Sequence, residues 1–189
     1  MAGTGLREEP LFGVGLCGGM EEVDFYRRLY KYNRKVLENL LGRMRRMSWK
    51  EVIKDRGTGL GSFRDTFVHM VRVHDAWVNF IVPGRVSELP KHRPPLSSYR
   101  SWASLRELFL ATWKHIDKFL AQLRPKDLRK VVRAPWMPGR YTLADVLMQC
   151  TFEEAHHLGE LIGASWQEDK APPQMMWIPI LYDQRVRVY

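Results

Sequence analysis

Four stretches of this chain repeat apolar residues at intervals of three and four, the spacing that returns to one face of an α-helix. The first spans 21–47 and carries Phe25, Leu29, Tyr32, Val36, Leu40 and Met44, with Arg43, Arg45 and Arg46 at the end where a helix dipole favours cations. The second starts at Ser62, which has Asp65 three residues on in a box-like capping arrangement. It runs to about Val82, where Pro83-Gly84 stops it. Its apolar arc is wide, from Phe63 and Phe67 through Met70, Val71 and Trp77 to Ile81, so it should touch more than one neighbour. The third covers about Ser101–Leu123 and ends at Arg124-Pro125. Thr142, with Asp145 three on, caps the fourth, whose Leu143, Val146, Leu147, Cys150, His157 and Leu161 share a face.

The segments between are of a different kind. A short turn of helix is expected at Trp49–Ile53, and 83–99 reads as a long surface connection. Residues 128–141 read as a short hairpin or irregular turn before the last helix. The Gly-rich 1–20 reads as a loosely held arm, and 21–189 as one domain. The tail beyond Trp166 is apolar and Pro-punctuated and should pack on the bundle or on a partner. Four long helices and one long crossover make an all-α four-helix bundle the expected architecture.

Charge and composition exclude more than they assign. No apolar run is long enough for a membrane span, and the N-terminus lacks the features of a secretory signal. Two cysteines, Cys17 and Cys150, give no disulfide framework, so a reducing cytoplasm is the expected compartment. Cys150 reads as a buried inert thiol, with a soft metal ligand as the sharper alternative. The net charge of +9 suits nucleic acid or small anions, but the basic residues are dispersed and no nucleic-acid motif accompanies them. Nucleic acid is therefore not the expected partner.

The chemistry centres on Glu153 and His157. Four apart on a helix, they share a face and can offer two corners of a divalent metal site. A surface ion pair is the plainer alternative. A third ligand must come from elsewhere, and helix two offers His69 and His74. His74 aligns with Phe67, Val71 and Val78, and His69 with Thr66, Val73 and Phe80, so periodicity does not choose between them.

Three places carry a family resemblance: Leu29-Tyr30-Lys31-Tyr32-Asn33, the run from Ser62-Phe63-Arg64-Asp65 through His69 to Trp77, and Ala155-His156-His157-Leu158-Gly159-Glu160-Leu161. In these the chain resembles the DinB-like / YfiT-like superfamily of metal-dependent four-helix proteins. The resemblance implies an up-down-down-up bundle and a homodimer. It places the helix-two ligand on His69, because His74 follows five later and Trp77 eight later, and the last ligand on His157. The family's middle ligand is usually His, where this chain has Glu153.

Two histidines and a carboxylate suit Zn, Ni, Fe or Mn, and the harder oxygen donor tilts the set toward Fe or Mn. Expected supporting residues are His74, Glu154, His156 and Glu160 around the ligands, with Tyr32 and Asn33 on the substrate side. The resemblance implies an enzyme of thiol S-transferase or hydrolase type, with a low-molecular-weight thiol as co-substrate and a small, anionic substrate. The alternative is a non-catalytic dimeric bundle, a binding or stress-response protein with a degenerate site.

Overall fold

Three of the four long helices begin by the same chemistry. Ser62 Oγ accepts the Asp65 N–H at 3.1 Å, Ser101 Oγ the Ser104 N–H at 3.2 Å, and Thr142 Oγ1 the Asp145 N–H at 3.2 Å. Each satisfies a backbone donor the first turn would otherwise leave orphaned, worth about 1 kcal/mol. Thr142 and Asp145 close a full reciprocal box. Asp65 does not reach back to Ser62 N; it turns instead to the Arg64 guanidinium and the Ser62 hydroxyl.

The computed structural model describes residues 21–57 and 59–182, so the expected arm at 1–20 lies outside the described residues. The elements are α1 (Glu22–Met44), α2 (Trp49–Val52), α3 (Phe63–Asp75), α4 (Trp102–Gln122), α5 (Pro125–Leu128), β1 (Val131–Ala134), β2 (Met137–Thr142), α6 (Leu143–Gln167) and α7 (Trp177–Leu181). The long helices α1, α3, α4 and α6 form the bundle. Both α1 and α3 pack against α4 and against α6, which puts α4 and α6 at opposite corners. Tyr30, Leu37, Leu40, Phe67, Met70, Leu105, Trp113, Ile116 and Leu147 fill the shared core. No helix among the described residues is long and apolar enough to cross a membrane.

The face that α1 buries takes in Leu29, Val36, Leu40 and Met44 of the expected stripe and is wider than it. Tyr26, Tyr30, Asn33 and Leu37 are buried, whereas Phe25 is exposed.

At Ala76 the expected second helix changes pitch. Residues Ala76–Ile81 wind as a π-helix, with Val82 N bonded to Trp77 O at 2.9 Å and Arg85 N to Phe80 O at 2.6 Å. Such widened turns cluster at functional sites. The connection that follows contains 3-10 turns at Val86–His92 and Leu96–Ser98, and α5 follows α4 after a sharp bend. Strands β1 and β2 pair antiparallel ahead of α6, so the hairpin alternative describes this segment. The apolar tail folds back as α7 against α1, where the Tyr32 hydroxyl donates to Met175 O and Lys35 Nζ to Ile180 O. Pro179 is tolerated in α7 because the first-turn N–H it lacks would have had no helical acceptor.

Candidate metal centre

Helices α3 and α6 pack side by side, and three side chains meet between them. His69 comes from α3, at the margin of its apolar arc, and Glu153 and His157 from successive turns of α6. One ligand atom from each falls within 4.8 Å of the others. Glu153 Oε1 is 3.4 Å from His69 Nε2 and 3.4 Å from His157 Nε2. The imidazoles meet edge to face with centroids 4.6 Å apart.

These distances discriminate between two kinds of contact. A direct charge-assisted hydrogen bond would close to about 2.7–2.9 Å. Two donors each about 2.1 Å from one tetrahedral ion stand about 3.4 Å apart. The spacing is long for a charge-assisted hydrogen bond and fits a shared cation. The donor set, two imidazole nitrogens and a carboxylate oxygen, suits a borderline divalent metal.

The surroundings prepare the donors. Burial pushes the His69 pKa down against the pull of Glu153, with His157 and Arg93 adding to the downward shift, so the ring is neutral and keeps a lone pair. His157 is held at its other nitrogen, where Nδ1–H donates to Glu160 Oε2 at 2.7 Å and leaves Nε2 to face His69 and Glu153. Gln149 Nε2 lies 3.4 Å from Glu153 Oε2. A second trio, His156, His157 and Glu160, also lies within 4.8 Å. It belongs to one helix, its His156 is exposed, and its tightest pair sits at hydrogen-bond rather than shared-ion distance.

The α2–α3 loop runs close against Glu160. Arg56 anchors that loop to the end of α6 through Glu168, at 3.1 Å, and its guanidinium holds the Glu168 carboxyl down at about 2. Gly59, at φ +52°, then lies against Glu160, and a Cβ there would come within 2.5 Å of Glu160 Oε2. Gly59→Ala is expected to displace the carboxylate from His157 and to strain the loop by about 1–2 kcal/mol. The first effect should appear as loss of the hydrogen-bonded Nδ1–H signal of His157 by NMR, the second in denaturant unfolding.

The other residues named from the sequence lie elsewhere. Tyr32 stacks on Trp177, centroids 5.0 Å apart, and Asn33 donates to Thr151 Oγ1 at 2.9 Å, so both are engaged in packing α1. His74 and Glu154 form a separate pair in the core, Nε2 to Oε2 at 2.8 Å, with almost no exposure. Burial opposes charge on His74, but Cys150 and Glu154 outweigh it and hold its pKa at about 9; burial also pushes Glu154 upward. Cys150 is fully buried, and its sulfur is the group beside the otherwise unpartnered Tyr30 hydroxyl and His74 Nδ1. Sequence reasoning missed a cleft of about 380 Å³ that opens beside His69 and is lined in part by Arg72, Trp77, Arg93 and Trp136. Its walls come from irregular segments whose folding no periodicity reports.

Residues 32–161 match the family model described as the DinB superfamily. Comparison with curated proteins gave no match.

Proposed function

The chain belongs to the DinB superfamily, and on that footing we propose that it is a divalent-metal-dependent enzyme of thiol S-transferase or hydrolase type, with His69, Glu153 and His157 as ligands. The observation that carries the reading is the pair of equal 3.4 Å separations about Glu153 Oε1, made by side chains from two helices. Three protein donors are the pattern of a catalytic rather than a structural site. A divalent ion there would supply Lewis acidity, bringing the pKa of a water or thiol toward neutrality.

The chain's own groups do the rest. Glu160 fixes the tautomer and tilt of His157. Burial keeps His69 neutral. Glu153 and His69 are partly exposed, and the cleft beside His69 would receive a substrate. The proposed assembly is a homodimer, for which the exposed Phe152 and Trp166 on α6 supply apolar surface. Glu153 in place of the family's usual His favours a second reading, a non-catalytic bundle with a degenerate site.

The test is turnover by wild type and His157→Ala, each supplied with Zn, Ni, Mn or Fe(II). Conjugation of a small thiol to 1-chloro-2,4-dinitrobenzene reads the transferase arm, and hydrolysis of p-nitrophenyl acetate the hydrolase arm. Metal-dependent turnover in one arm, lost in the variant, is expected. Rates equal to the metal-free protein in both arms favour the non-catalytic reading. Glu160→Gln should weaken metal affinity about 10–100-fold, measured by competition with a chromophoric chelator.

A further inference from the structure

The wall of the cleft beside His69 carries two guanidiniums, those of Arg72 and Arg93, that form no ion pair among the described residues. Arg72 reaches it from α3 and Arg93 from the connection after the first 3-10 turn. Their hydrogen bonds go to neutral oxygens: Arg72 to Pro94 O and, at 3.4 Å, to the Tyr99 hydroxyl, and Arg93 to Arg72 O at 3.4 Å. Arg72 Nε is buried with no partner. The acids nearby form no ion pair with either arginine among the described residues, although the charge of Asp75 acts on Arg93. Asp65, in the same wall, binds the Arg64 guanidinium at 2.7 Å and 3.1 Å. Asp75 accepts from Asn79 Nδ2 at 2.6 Å.

Two guanidiniums so placed repel one another, and burial together with the charge of Arg72 pushes the Arg93 pKa down against the pull of Asp75. An oxyanion between them would relieve the repulsion and give the idle donors an acceptor. The apolar part of the wall combines the aliphatic Leu60, Val73 and Leu96 with two indoles. Trp77, from the π-helix, and Trp136, from the hairpin turn, stand with centroids 6.3 Å apart, and Trp136 is more than half exposed. A cleft of this volume, with a largely apolar lining and a few convergent polar groups, has the form of a small-molecule site.

We propose that the cleft is an anion-selective substrate pocket, in which Arg72 and Arg93 hold the carboxylate of a small molecule whose flat apolar body lies against Trp77 and Trp136, beside His69. The pocket rests on the proposed metal reading only for which end of that molecule reacts; the carboxylate subsite depends on the arginines alone.

Metal-free full-length protein separates the two questions. The probes are indole-3-acetate and its neutral isostere indole-3-acetamide, with affinities measured by calorimetry. The acid should bind at least about tenfold more tightly, with a margin that shrinks at high salt. Arg93→Gln, a change at an exposed position, should bring the ratio close to one. Trp136→Ala should weaken both probes and leave the ratio unchanged. Bound acid should also shift the His69 ring signals in the NMR spectrum. Equal affinities, no measurable binding of the acid, or a preference that survives both Arg72→Gln and Arg93→Gln overturns the proposal. Zinc uptake by the same proteins is scored independently. A preference without metal uptake keeps the pocket and removes the metal reading, and uptake without a preference does the reverse.

Discussion

His74→Leu, with Glu154 left in place, is expected to destabilise the fold by about 3–5 kcal/mol, because removing one partner of a buried ion pair strands the other charge. Both groups are almost wholly enclosed, and Glu154 Oε1 already has no partner, so no second donor waits to take over. Restoring water to Glu154 would mean opening the packing of α3 against α6. His74→Leu combined with Glu154→Met should recover most of the loss, since well-packed apolar replacements of buried ion pairs are neutral or stabilising. Denaturant unfolding of the single and double variants measures both. A single variant within about 1 kcal/mol of wild type would contradict the account of the pair. The pH dependence has a defined sign. The folded-state pKa of His74 is raised to about 9, so its contribution is complete below its ordinary value of 6.5 and is lost as pH rises through about 9. Wild-type stability should therefore fall across that window, and the double variant should lack this component.

His157→Ala is expected to abolish stabilisation by metal. A ligand that binds only the folded state adds about 2.7 kcal/mol at one hundred times its Kd. In a chain of this size that raises Tm by about 5–10 °C. Wild type with zinc in excess should show the shift, and His157→Ala and His69→Ala should not, because each leaves two donors where three are needed. Glu153→His should keep it, since it restores a nitrogen donor at the same turn of α6. A fourth variant separates direct ligation from a general effect of zinc on surface histidines: His156 is exposed, and His156→Ala should behave as wild type.

The elements that could be read from the sequence are those whose signals are local. Ser62 and Thr142 mark helix starts because a hydroxyl and the N–H three residues on belong to one short stretch. Glu153 and His157 were legible as a pair because one helix fixes their separation. Periodicity left the choice between His69 and His74 open, because both lie on α3 and the docking of α6 decides what each one meets; the family resemblance alone pointed to His69. In the fold His69 meets Glu153 and His74 meets Glu154, so adjacent acids on α6 serve an open cluster and a buried pair. The π-helical turn at Ala76–Ile81 was hidden because its apolar residues also satisfy an ordinary helical stripe. Arg93 gave no signal because the connection that brings it to Arg72 has no period. On α1 the expected Leu29, Val36, Leu40 and Met44 are buried, and Tyr26, Tyr30 and Leu37 join them because the helix is enclosed by several neighbours and buries more than one stripe.

Metal stoichiometry and coordination, read together in one cobalt titration, bear most directly on the shared cation at the α3–α6 contact. Metal-free protein titrated with Co(II) should take up one ion per chain and develop the intense visible bands of a low-coordinate nitrogen–oxygen site, and His69→Ala should develop none. A wild-type protein that binds no Co(II), and retains no Zn, Ni, Mn or Fe(II) when each is offered, would contradict it.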